Sequence, residues 1–152
     1  MPKMELGPWV NAAAFCDSTV LGADGALSII RIIDTVTQSA EGEEPPEQMP
    51  PFAFNTKLVI ALKAGEAKGR YTLRFRPEAP DGRHLPVQDN VIHLEGGHSG
   101  INLIADVQIG LELEGVYWFD ILFVAAPDEE HLLTRVPLRV LYAPQKTRAG
   151  RR

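Results

Sequence analysis

Apolar residues in this chain recur mainly at every second position. In "NTKLVIALKAG", Leu58, Ile60 and Leu62 share one face, and Lys57, Val59, Ala61 and Lys63 share the other. "RYTLRFRP" sets Tyr71, Leu73 and Phe75 against Arg70, Thr72, Arg74 and Arg76. "INLIADVQIGLEL" carries Ile101, Leu103, Ala105, Val107, Ile109 and Leu111 in strict alternation. "HLLTRVPLRVLY" puts Thr134, Val136, Leu138 and Val140 opposite Arg135 and Arg139. A period of two is the signature of a strand with one buried face. Residues 8–17 predict a first strand, and the Ile-, Val- and Thr-rich "ALSIIRIIDTVTQ" a second. "HLPVQDNVIHLE" predicts a weaker one, with Pro86 marking a sheet edge. Turn chemistry separates these segments at "GADG", "GEAKG", "PEAPDG" and "APDEE", and "GGHSG" reads as a loop. The sum is about eight strands and no long amphipathic helix, so the fold class is all-β, a sandwich or small barrel.

"LEGVYWFDILFV", Leu113 to Val124, narrows that choice. In immunoglobulin-like sandwiches a tyrosine near the start of strand F bonds through its hydroxyl to backbone just upstream. Here Gly115 would turn the corner and Tyr117 would make that bond. Phe119, Ile121 and Phe123 would continue inward, and Trp118, Asp120 and Leu122 outward. The expectation is an immunoglobulin-like antiparallel β-sandwich, with the last strand pairing beside this one. An outward tryptophan either marks an interface or lies against a neighbouring arginine stem.

With 152 residues the chain suits one domain, expected over 8–143. "SAEGEEPPEQMPP", residues 39–51, holds four prolines and four glutamates and reads as a long mobile loop. Residues 144–152 read as a basic disordered tail. A domain of this size buries enough surface to need no disulfide or structural metal. Cys16 is the single cysteine, as a reducing compartment would suit. Glu5, Pro8 and Asn11 interrupt the first apolar run, so it is not expected to act as a signal peptide, and no stretch nears the ~20 apolar residues of a membrane helix. The expected location is cytoplasmic, with no membrane partner. Net charge is −5 and pI ≈ 5.3, which argues against general nucleic-acid binding but leaves room for a local basic patch.

The segments "AAFCDSTVLGADGALSIIRIIDTVT" and "YWFDILF…LLTRVPLRVLY" resemble a group of small, uncharacterised bacterial proteins. Those chains begin with a similar "FCD…DG-L-S-I-I-R-I" pattern and end in a similar strand pair. The resemblance runs from about Trp9 to Tyr142. It implies a compact β-sandwich and no established activity, so it assigns no catalytic residue.

Candidate chemistry is sparse. "HLEGGHSG" holds His93, Glu95 and His98, a conceivable metal set for a metal-dependent enzyme, but it lacks a His-x-His pair and its glycine-flanked histidines read as solvated. Asp17 beside Cys16 would raise the thiol pKa, so Cys16 reads as a buried small residue, not a nucleophile. Neither "GEAKG" nor "GADG" has phosphate-loop spacing. Glu43–Glu44 and Glu129–Glu130 lie in turn regions and read as solvated pairs.

The basic positions carry more information. Lys57, Lys63, Arg70, Arg74, Arg76, Arg135 and Arg139 all fall on outward strand faces, and the expected topology would gather them on one sheet near Trp118. Such a face would suit a protein partner, a second copy or, less readily, nucleic acid. Its ordinary reading is a solvated face whose long side chains cover apolar surface. The expected function is a non-enzymatic interaction module or assembly subunit, without cofactor. It would self-associate or bind a protein through this face.

Overall fold

The computed structural model describes residues 6–41 and 52–145. Its seven elements are all strands: β1 (Trp9–Leu21), β2 (Leu27–Ile33), β3 (Thr35–Glu41), β4 (Phe52–Glu78), β5 (Gln88–Leu111), β6 (Gly115–Ala126) and β7 (Glu129–Gln145). The all-β expectation holds. Residues 42–51 and 146–152, most of the expected loop and tail, lie outside the described residues.

β4 and β5 organise the fold. They form one antiparallel ribbon, from Phe52 opposite Leu111 to Phe75 opposite Gln88. β1 pairs with the first half of β4 (Phe15 with Leu58), and β6 with the second (Phe75 with Ile121). β2 extends the first half beyond β1, and β7 and then β3 extend the second. The sheet therefore has two halves strung on one ribbon, and it curls so that their inner faces share a core.

The expected turn at "GEAKG" and loop at "GGHSG" lie inside these two strands, facing each other. Gly65 sits opposite Gly97 and Lys68 opposite Glu95, with register shifts on both sides of Gly65. Turn-forming glycines here bend a ladder instead of reversing a chain. Gly65 has φ +60°, and the Leu6 carbonyl and Trp9 ring lie where a Cβ would go. The Glu66 N–H also donates to the Leu6 carbonyl at 2.8 Å, holding the N-terminal segment across the bend.

The other departure is at Asp34. "ALSIIRIIDTVTQ" does not make one strand. Arg31 takes φ 56°, and β2 and β3 join different neighbours. β2 runs antiparallel to β1, whereas β3 runs parallel to β7. The Asp34 carbonyl accepts from the Arg139 N–H at 2.9 Å as the chain crosses between the halves. The expected turn at 22–25 is present: Gly25 N–H donates to the Gly22 carbonyl at 3.0 Å and Ala26 N–H to Asp24 Oδ1 at 3.0 Å.

The core follows from the alternation. Leu58, Ile60 and Leu62 from the first half meet Leu73, Phe75, Phe119, Ile121, Val136 and Leu138 from the second in a single buried cluster. Phe15 and Phe119 meet edge-to-face, with centroids 4.9 Å apart and planes at 74°. Such a contact adds about 0.5–1.5 kcal/mol beyond burial alone. Tyr117 is buried, and its hydroxyl oxygen accepts from the Glu112 and Leu113 N–H groups, each at 3.1 Å. That is the upstream bond expected of Tyr117. It holds the β5–β6 corner, where Gly115 (φ +133°) passes under Pro80.

Candidate interaction surface

The outer face of the second half is built from alternate residues of four strands. β4 supplies Arg70, Thr72, Arg74, Arg76 and Glu78, and β6 supplies Trp118, Asp120 and Leu122. Their inward neighbours Leu73, Phe75, Phe119 and Ile121 fix this orientation by being buried. β7 adds Arg135 and Arg139, and β5 adds Asp89, His93 and Glu95.

Register brings opposite charges together. Arg76 lies across from Asp120, and Asp120 from Arg135; Arg74 lies across from Asp89. Arg74 grips Asp89 with two bonds, Nε to Oδ1 at 2.7 Å and Nη2 to Oδ2 at 3.0 Å. Its Nη1 donates to Glu130, which also takes Arg76 Nη2 at 2.9 Å. Arg135 Nε donates to Asp120 at 2.7 Å, and its Nη2 lies 3.6 Å from Glu78. Arg135 also lies over Trp118, 4.8 Å from the ring centroid, so the tryptophan rests against an arginine as one sequence reading anticipated. Trp118 stays 37% exposed.

Electrostatics follow from these bonds. Hydrogen bonds from Arg74 hold the Asp89 carboxyl below its ordinary value, and bonds from Arg76 and then Arg74 do the same for Glu130. The same partners, Asp89 first, push the Arg74 guanidinium upward. Three guanidiniums (Arg74, Arg76, Arg135) thus face four carboxylates (Asp89, Glu130, Asp120, Glu78).

The expected seven-cation face does not form. Lys57 and Lys63 belong to the first half, because β4 runs through both halves and carries these two lysines into one and its arginines into the other. Lys57 bonds Asp106 at 2.7 Å there, and Lys63 is exposed. Arg70 and Arg139 remain exposed on the second half, opposite His93 and Val116 respectively. Asp120 was expected outward beside Trp118, but the neutralising roles of Asp89, Glu130 and Glu78 were not legible in the sequence. Glu130, read as solvated in a turn, lies in β7 with its side chain only 29% exposed. Its signal was the outward spacing Glu130–Leu132, but a register shift in the β6–β7 pairing hides which strand it faces.

Other candidates are not assembled. His93 Nε2 and Glu95 Oε1 lie 4.0 Å apart, both well exposed. Among the described residues no three metal-ligating side chains cluster, so His98 does not complete that set. Cys16 is fully buried, and its thiol pKa is raised by burial first and by Asp17 second. Among the described residues no helix is long and apolar enough to cross a membrane. No family model matches the chain, and no curated protein matches it either.

Proposed function

We propose that this protein is a non-enzymatic interaction module that self-associates through the outer face of its second half. Its scaffold is an immunoglobulin-like β-sandwich. Supporting the scaffold are the Tyr117 corner, the antiparallel β6–β7 pair beside β4, and β3 lying parallel to β7. A lone buried thiol suits a cytoplasmic setting.

The observation that carries the reading is Trp118, exposed and stacked under Arg135 within a preformed charge lattice. Tryptophan and arginine are the residue types that most often anchor interfaces. Arg135 is already held by Asp120 and Glu78, and Trp118 rests against it, which lowers the entropic cost of docking. The lattice alternates in sign over a short span, so a second copy rotated by a two-fold can set cation rows against carboxylate rows. An all-basic face would repel its own copy. Sedimentation equilibrium of the wild type and Trp118→Ala tests this: the wild type associates reversibly and the variant stays monomeric. A wild type that is monomeric at every concentration removes the proposal.

A further inference from the structure

We infer that the open edge of β5, from Asp106 to Leu111, accepts an extended peptide from another protein as an added strand. This surface is separate from the Trp118 face, and neither proposal depends on the other.

β5 pairs only with β4, so its second edge has no strand beside it among the described residues. The Asp106 carbonyl turns toward that edge, where Gln88 Nε2 donates to it at 3.1 Å. In an antiparallel ladder, alternate residues point their N–H and C=O the same way. Gln108 and Gly110 therefore present theirs to the open edge too. Native sheets usually blunt such edges with lysine, proline or a bulge. "INLIADVQIGL" has no lysine or proline, its one charged residue is Asp106, whose carbonyl Gln88 covers, and the β5 register is regular from Gly100 to Leu111, which leaves Gln108 and Gly110 as the uncovered edge groups.

Beside this edge lies a groove of about 260 Å³. Its floor is apolar, with Phe75 and Phe119 each 1% exposed, and Leu85 and Pro86 form its far wall. Gly110 adds no side chain to the lip, and an added Cβ there would meet nothing within 4 Å. This combination is what strand addition needs: main-chain groups for affinity and a pocket for alternate side chains.

Size selects the occupant. Six residues of strand span about 20 Å, and a contact that short buries well under the ~800 Å² per partner of a stable protein pair. It suits a short extended segment better than a second folded copy. Glu112, the one ionisable side chain lining the groove among the described residues, lies 3.6 Å from the Arg83 guanidinium, so the groove sets no charge requirement on the segment. An aliphatic or aromatic side chain would enter over Phe75 and Phe119.

The test uses the full chain and a capped probe peptide, Lys-Thr-Val-Thr-Val-Thr, followed by amide-resolved NMR. Binding should shift resonances of 106–112 and 83–88, and N-methylating the probe on its ladder-forming edge should abolish it. Gly110→Pro removes an N–H that β4 does not use, and should weaken binding at least about tenfold without unfolding the chain. Leu85→Asp should weaken it independently. No binding at millimolar probe overturns the inference, as does binding indifferent to N-methylation, which would mark simple filling of an apolar groove. Exchange protection of the 106–110 amides that grows with protein concentration alone would also overturn it, by showing that the edge pairs with its own copy.

Discussion

The two outer faces of this protein are laid along the same strand and come out differently. On the first half, the positions of β4 that point outward hold Lys57, Val59, Ala61 and Lys63. Val59 is wholly buried, as is the neighbouring Cys16, while Ile30, Ile32 and Ile104 nearby are exposed. The ion pair there, Lys57 with Asp106, leaves the carboxylate side chain 89% exposed. On the second half the outward positions hold Arg70, Arg74 and Arg76. Cross-strand carboxylates lock Arg74 and Arg76, and β6 and β7 together supply the Trp118–Arg135 stack. The two stretches of β4 look alike as basic faces. What separates them is the strands that register places alongside, and guanidinium forks that reach two carboxylates where an ammonium reaches one.

The largest way to break the comparison is to remove what the halves share. Phe119→Ala deletes the ring that meets Phe15 across the core and should cost about 3–5 kcal/mol in denaturant unfolding. Both halves should melt in one transition. Two separate transitions would show that they are independently stable. Tyr117→Phe comes next. It leaves two buried-side N–H groups of the β5–β6 corner without their acceptor and should cost about 1–3 kcal/mol, with little change in the spectrum of the folded state.

Smaller effects separate the two faces. Glu130→Gln should lower stability by about 1 kcal/mol or less, because the pair is partly exposed. Asp106→Asn on the other half should be indistinguishable from wild type. Equal losses would mean that the lattice is no more organised than an isolated surface pair. Acid should act on the second half first. Asp89 and Glu130 have lowered folded pKa values, so their contribution is complete above the ordinary carboxylate range near ~4 and fades as pH falls through the lower folded values. Amide exchange across β4 should therefore rise at residues 72–78 before residues 57–63 as the solution is acidified.

Alternation along single strands was legible in the sequence, because burial has a period of two and needs no partner to be seen. It placed Leu58, Ile60 and Leu62, then Tyr71, Leu73 and Phe75, and the inward Tyr117 with its backbone bond. Pairing was not legible. Gly65 and Gly97 carry turn chemistry whether the chain reverses or merely bends, and only their position opposite each other in the ribbon decides. The β2–β3 split at Asp34 was hidden for the same reason, since Ile- and Thr-rich residues suit either neighbour. The interaction surface was half visible. Trp118, Arg74, Arg76 and Arg135 were picked out by their outward phase. The carboxylates that neutralise the arginines come from β5, β6, β7 and the end of β4 itself; Asp120 shared the outward phase of Trp118, but no local pattern announces the pairing of Asp89, Glu130 and Glu78. That is why a lattice of mixed sign read as a basic stripe.

On the proposed function, the Trp118 face, and not the aliphatic face of the first half, brings two copies together. Sedimentation equilibrium at low and high salt, on wild type, Trp118→Ala and Ile32→Asp, tests it most directly. Wild type should associate, more weakly as salt screens the charge rows, Trp118→Ala should be monomeric, and Ile32→Asp should associate like wild type. An Ile32→Asp that falls apart while Trp118→Ala stays associated would contradict it.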